Sequence, residues 1–129
     1  LVRQIAAGGV EGLVKIYHFI DGKWVQTELL CGEQGPTRSI SWTTTNFGAV
    51  NHIATAYHNG SVLVWSKGET DEDKWQPFLL KQFPKTVWHV SWSEIGNVLA
   101  ISYGDNEISI WKRSLDDKWT CIRELNQSS

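Results

Sequence analysis

The sequence predicts an all-β fold built from repeated four-stranded blades, and three recurring features predict it. An aromatic residue returns at a nearly constant interval, 48 and then 46 residues apart, at Tyr17, Trp65 and Trp111. Twelve residues before each aromatic stands a hydrophobic residue followed by alanine, and a turn pair lies between them in every copy. Intervals of about 40 to 45 residues are typical of four-stranded repeats that pack around a common axis.

The turn pair inside each copy predicts a hairpin between two strands, which we label b and c. The three pairs are Glu11-Gly12, Asn59-Gly60 and Asp105-Asn106. Glycine, asparagine and aspartate tolerate positive φ, which two-residue hairpin loops require because their twist then matches that of the strands. We therefore expect a two-residue b–c loop in every copy.

A second hairpin follows each aromatic residue and introduces a fourth strand, d. Acidic or glycine residues precede a Lys-Trp pair each time, at 21–24, 72–75 and 116–119. The remaining strand, a, has the sequence SISW at 39–42 and HVSW at 89–92, and the first copy lacks it. The predicted division is blade one (strands b to d, 3–30), blade two (38–83), blade three (87–125) and a short tail (126–129).

This number of blades is too small for a closed ring. A propeller uses about four to eight blades, and each blade buries its two faces only against its neighbours. We therefore expect about two and three-quarter blades, a fragment of an open six-bladed propeller, with upstream blades or another chain completing the ring. The chain begins at Leu1 and contains no methionine, which agrees with that expectation.

Composition argues against several functions. The net charge of -2 leaves no broad basic surface to neutralise phosphates, so we expect no nucleic-acid partner. No apolar run approaches the roughly 18 residues of a membrane span, so we expect no direct membrane insertion and a cytoplasmic or nuclear protein. Cys31 and Cys121 lack metal-ligand spacing and are predicted to be free thiols.

The sequence also lacks the patterns of an enzyme. Catalysis would need a nucleophile with its base, paired carboxylates in a cleft, or a phosphate-binding loop. The four histidines do not show the close pairing of a metal-ligand set. We therefore expect a non-enzymatic protein without cofactor or metal, whose histidines are solvent-facing or hydrogen-bonded: His18, His52, His58 and His89.

The repeats resemble WD repeats, although the Trp-Asp pair that ends strand c is degenerate. It reads Tyr17-His18, Trp65-Ser66 and Trp111-Lys112. The resemblance implies a structural hydrogen-bond network that joins a strand-b Ser or Thr and a turn Asp to the strand-c aromatic. In blade three the matching residues are Ser102, Asp105 and Trp111, and Phe83 or Pro84 stands where a histidine is usual.

Blade three is similar to the last blade of the Sec-thirteen propeller family, in the stretches TVWHVSWS, LAISYGDNEISIWK and DDKWTCI. Weaker similarity covers most of the chain, although Glu11 and Asn59 stand where the family tends to have Asp. The resemblance implies a scaffold subunit of the COPII vesicle coat and the nuclear pore complex, acting in protein transport from the endoplasmic reticulum to the Golgi. It also implies an open six-bladed ring completed by an α-solenoid partner that donates a blade, and a location at endoplasmic reticulum vesicle coats or the nuclear pore.

If blade three is terminal, its outward face should meet the donated blade. Side chains alternate between the two faces of a strand, and the sequence leaves open which set points outward. Trp88 is a separate candidate, because the repeat alignment places Thr37, rather than a tryptophan, at its position in blade two. The candidate partner-binding residues are Trp88, His89, Val98, Ile101, Ile108, Ile110 and Trp111.

Two functional classes therefore stay open. The first is the scaffold subunit, with a sister propeller confined to the nuclear pore as its close variant. The second is a generic WD-repeat adaptor that reads a peptide on the top face, where the b–c turns and the d–a connections gather. The two functional classes can be distinguished by comparing mutations in the top turns (58–60 and 104–106) with mutations on the outward face of blade three.

Overall fold

The computed structural model describes residues 4–33, 35–44, 51–67, 74–93, 96–114 and 118–126. These residues form eleven β-strands in three antiparallel sheets, and hydrogen-bonded neighbours within each sheet follow the order of the chain. The predicted all-β fold of stacked blades is confirmed.

The strands of blade one are β1 (Gln4–Gly8), β2 (Leu13–Ile20) and β3 (Lys23–Cys31). Those of blade two are β4 (Thr37–Thr44), β5 (Asn51–Tyr57), β6 (Ser61–Lys67) and β7 (Gln76–Gln82). Those of blade three are β8 (Val87–Trp92), β9 (Val98–Tyr103), β10 (Glu107–Arg113) and β11 (Trp119–Asn126).

Blade two lies between the other blades and buries both of its faces. Its central strands β5 and β6 are buried along most of their length, because alternate side chains point to opposite neighbours. One layer joins blades one and two through Val14, Ile16, Leu30, Ile53, Leu63 and Trp65. The other layer joins blades two and three through Ala54, Ala56, Val62, Val64, Val87, Val90, Leu99 and Ile101.

The b–c loops differ from the predicted two-residue form. They contain four residues in blade one (9–12) and three in blades two and three (58–60 and 104–106). Each retains a left-handed residue, with φ of 76° at Gly12, 93° at Gly60 and 68° at Asn106, as loops longer than two residues commonly do. A two-residue loop occurs instead at Asp21-Gly22, with φ of 50° and 77°. The predicted acidic turns at 72–73 and 116–117, and tail residues 127–129, lie outside the described residues.

The b–c turns and the d–a connections gather at one end of the blades and are joined by backbone hydrogen bonds. The amide of Thr37 donates to Gly9 (2.9 Å), that of His58 to Pro36 (2.9 Å), and that of Gly104 to Thr86 (3.0 Å). We call this end the turn rim; it comprises residues 9–12, 32–33, 35–36, 58–60, 83–86 and 104–106. Because backbone groups make these bonds, the rim holds the turns in fixed positions over strands a.

Candidate partner-binding surfaces

The predicted hydrogen-bond network of the WD repeat is partly present in blade two. The indole N–H of Trp65 donates to the hydroxyl of Thr55 at 3.0 Å, and both side chains are buried. Burial also raises the pKa of Tyr57 in the same layer, so its phenol stays neutral at physiological pH. This network is structural, since it lies inside the layer between blades one and two.

In blade three the predicted hydrogen bond between Trp111 and Ser102 is wrong. The indole N–H of Trp111 donates to the hydroxyl of Ser109 at 2.9 Å rather than to Ser102. Thr55 lies opposite Leu63 in blade two, and the matching pair in blade three is Ile101 opposite Ser109. Ser102 is one residue beyond that position, so its side chain points to the other face of the sheet. Asp105 is exposed in the turn.

Replacing Thr55 with valine tests the network in blade two. The change keeps the shape of the side chain but leaves a buried indole N–H without this acceptor, which costs about 1–3 kcal/mol of unfolding free energy. Urea unfolding followed by tryptophan fluorescence measures the loss. The same change at the exposed Thr120 should have almost no effect. Equal stability of Thr55→Val and the wild type would contradict the structural role.

The structure settles which side chains of blade three point away from blade two. Leu99, Ile101 and Ser109 are fully buried toward blade two. The residues that alternate with them therefore form the opposite face. Ile101 and Trp111, both predicted as candidates for the outward face, pack instead in the layer with blade two, and those two predictions are wrong.

The opposite face is apolar at its centre, and we call it the blade-three outer face. Ile108 is opposite Ser102 on β9 and opposite Leu125 on β11, while Ile110 is opposite Ala100 and Arg123. Ile108 and Leu125 are 36% and 40% exposed. The face comprises Val98, Ala100, Ser102, Ile108, Ile110 and Leu125, bordered by the basic side chains of Lys112 and Arg123. An apolar sheet face with this exposure is suited to cover by another β-sheet.

Blade one presents a comparable apolar face on the far side of the stack. Ile5 and Leu29 are 45% and 47% exposed. Phe19 and Trp24 are cross-strand partners whose rings meet edge to face at 5.2 Å. These residues alternate with Val14 and Ile16, which face blade two. Both ends of the three-blade stack therefore carry faces like those that the internal blades bury.

Trp88 and His89 lie on β8, the innermost strand of blade three, whereas the other candidates lie on β9 and β10. Trp88 is the bulged residue between the pairs Val87–Tyr103 and His89–Ser102. Its structural counterpart in blade two is Arg38, the bulged residue of β4, rather than Thr37. His89 Nδ1 lies 3.3 Å from Ser39 Oγ on the innermost strand of blade two. The predicted candidates therefore do not form one surface. Val98, Ile108 and Ile110 lie on the outer face, Ile101 and Trp111 pack against blade two, and Trp88 and His89 lie on β8.

The histidines each have a hydrogen-bond partner. His18 pairs with Thr27, His58 with Arg38, and the buried His52 with Ser66 at 3.0 Å and with Arg113 of blade three. Within the part of the chain that the structure describes, no three His, Cys, Asp or Glu side chains are arranged to hold a metal ion. The described strands and turns also include no helix with the length and apolarity needed to cross a membrane.

Four-stranded antiparallel meanders that stack face to face, with a strand-c tryptophan bonded to a strand-b threonine, define WD-type blades of a β-propeller. The chain resembles SEC13 homologues. Protein SEC13 homolog of Homo sapiens is 34% identical over 127 residues, which are 98% of this chain and 39% of the human protein. Protein transport protein SEC13 homolog A of Arabidopsis thaliana is 34% identical over 120 residues, 92% of this chain and 39% of the plant protein. Protein transport protein SEC13 of Pyricularia oryzae is 34% identical over 128 residues, 95% of this chain and 44% of the fungal protein.

The resemblance to the Sec-thirteen propeller family that blade three predicts is therefore confirmed. It extends over nearly the whole chain, including blades one and two, where the sequence motifs are weaker. No protein-family model matches the chain. The chain spans about two-fifths of the length of the relatives it matches.

Proposed function

We propose that this chain is part of a non-enzymatic scaffold propeller in protein transport, and that its blade-three outer face binds a β-blade donated by an α-solenoid subunit. The observation that carries the proposal is the outer face itself, because Ile108 and Leu125, which form its apolar centre with the half-buried Ile110, are 36% and 40% exposed. The names of the plant and fungal relatives, which are protein transport proteins, support the transport role.

The layer between blades two and three indicates what would cover this face. There, Val62 and Val64 of one blade pack against Leu99 and Ile101 of the next, in a layer that also contains Ala54 and Ala56. A donated blade would make the same kind of contact with the outer face, using apolar side chains from its own central strands. Each aliphatic side chain that becomes fully buried contributes about 1.5–3 kcal/mol.

The borders of the outer face favour a partner with acidic side chains around its apolar strands. Lys112 lies two residues after Ile110 on β10, and Arg123 lies opposite Ile110 on β11. Charged groups at the rim of an interface contribute to orientation and association rate more than to affinity.

The proposed location follows from this assembly. The protein would be cytoplasmic and held peripherally on the coats of endoplasmic reticulum vesicles. A nuclear pore scaffold is the second proposed assembly, and a propeller confined to the pore is its variant.

The test is binding to a recombinant α-solenoid subunit of the vesicle coat, prepared with and without its β-blade segment. Calorimetry should show a complex that requires the segment. Replacing Ile108 and Ile110 together with lysine should weaken binding at least about a hundredfold, because two charges would be buried against apolar strands. Thermal melting of the double variant checks that the blades remain folded.

A matched variant on the turn rim, Asn59→Ala with Asp105→Ala, should bind the solenoid subunit as tightly as the wild type. Unchanged binding of the lysine variant together with loss of binding in the rim variant would overturn the scaffold proposal. That result would instead support the adaptor function, in which a peptide is read by the turns.

A further inference from the structure

We propose that blades two and three carry a second binding site at the edge of the turn rim, which takes a carboxylate-bearing peptide segment. The site consists of Arg38, His58 and Trp88, and we call it the rim pad. It lies at the start of the innermost strands β4 and β8 and in the b–c turn of blade two, whereas the outer face is formed by strands β9 to β11. The proposal is therefore independent of the donated blade.

The aromatic part of the pad is Trp88, which is fixed in position although half of its surface is exposed. Its indole N–H donates to the carbonyl of Gly104 at 3.0 Å, and this bond sets the orientation of the ring. The side chain is 50% exposed. A tryptophan that is oriented by the backbone but not covered offers a rigid apolar plane to a partner.

The cationic part of the pad is Arg38. Its guanidinium carbon lies 5.5 Å from the centre of the Trp88 ring, within the range of a cation–π contact. Among the described residues no carboxylate pairs with it, and its contacts are with Trp88 and His58. The guanidinium therefore keeps most of its donors for a ligand, in the planar arrangement that matches a carboxylate.

His58 adds a neutral donor at the side of the guanidinium. Arg38 Nη2 lies 2.8 Å from His58 Nδ1, and because arginine can only donate, Nδ1 is the acceptor and the ring proton is on Nε2. The backbone of His58 is held on both sides, since its amide donates to Pro36 and its carbonyl accepts from the Thr86 hydroxyl at 2.9 Å. The pad thus presents donors, one positive charge and an aromatic plane.

Arg38 supplies the positive charge of the pad in a chain whose net charge is -2. Glu107 is engaged by Lys85 at 2.6 Å, and this pairing raises the pKa of Lys85. Asp105 is exposed in the turn that holds Gly104. A free cation beside a flat aromatic ring is complementary to a segment in which an aspartate or glutamate adjoins an apolar side chain.

The experiment is a titration of the isotope-labelled chain with three unstructured peptides, (Glu-Leu)3, (Gln-Leu)3 and (Lys-Leu)3, followed by NMR of the tryptophan indole protons. We expect saturable shifts of the Trp88 indole with the glutamate peptide alone. Arg38→Ala and Trp88→Ala should each weaken its binding about tenfold, since each removes a principal contact. Arg38→Lys should restore part of the affinity because it keeps the charge but not the planar fork.

Trp24→Ala is the matched control, because Trp24 is also about half exposed but lies in blade one. It should bind the glutamate peptide like the wild type, and so should the outer-face variant with lysine at 108 and 110. Equal binding of the glutamine peptide, wild-type affinity of Arg38→Ala, or a response to a phosphoserine peptide with none to the glutamate peptide would each overturn the assignment. Melting of every variant confirms that loss of binding is not loss of folding.

Discussion

Replacing Gly12 with alanine is expected to destabilise the chain by about 4 kcal/mol or more, among the largest effects of a single substitution. A Cβ atom at this position would lie 1.7 Å from the carbonyl oxygen of Glu33, which belongs to the connection between blades one and two. That oxygen is part of the backbone, so the clash is relieved only by moving the turn away from the connection. The movement would also strain the bond from the Thr37 amide to Gly9.

Gly22 provides a closely matched control. Its φ is 77° against 76° at Gly12, but a Cβ atom there would have nothing within 4 Å. Gly22→Ala should therefore cost only the backbone strain, about 1–2 kcal/mol. Urea unfolding monitored by tryptophan fluorescence compares the two variants. Equal losses would show that the contact between turn and connection contributes nothing, and that positive φ alone explains the requirement for glycine.

The comparison of Gly12 with Gly22 also shows how far sequence predicts this fold. The repeat of aromatic residues, alanines and turn pairs predicts stacked blades because these are local patterns. The loop lengths were not predictable in the same way. Asn59-Gly60 suits a two-residue loop by local preference, but the turn contains three residues and a Cβ atom on Gly60 would lie 2.3 Å from Phe83 O. Contacts between a turn and a distant connection leave no local signal.

The candidate surfaces, too, were predictable from the sequence only in their local features. Alternation along β9 and β10 predicts two sets of side chains but leaves open which set points outward; the structure places Ile108 and Ile110 on the outer face. Only the position of blade two reveals that Ile101 belongs to the buried set. Trp88 was recognisable as a tryptophan without a counterpart, but its relation to Arg38 depends on the bulges in β4 and β8. A bulge shifts the register by one residue, and an alignment without it pairs the wrong positions.

A comparison of the Ile101→Ala and Ile108→Ala variants tests directly which side chains of blade three face blade two and which lie on the outer face. Ile101 is fully buried between blades two and three, so removing its side chain should leave a cavity and cost about 2–5 kcal/mol of unfolding free energy. Ile108 lies one strand away on the opposite face and is 36% exposed, so the same substitution should cost less than about 1 kcal/mol in the isolated chain.

The two variants should also differ in their affinity for the solenoid subunit. Ile108→Ala should lose affinity while its melting temperature stays near that of the wild type, because its side chain becomes buried only in the complex. Ile101→Ala should melt at a lower temperature, and the fraction that remains folded should bind normally, because the outer face is intact. If instead Ile101→Ala is as stable as the wild type and Ile108→Ala unfolds, the faces of blade three are assigned in reverse. The donated blade would then have to bind the face of blade three against which blade two packs. The buried valines and alanines of blade two already occupy that face.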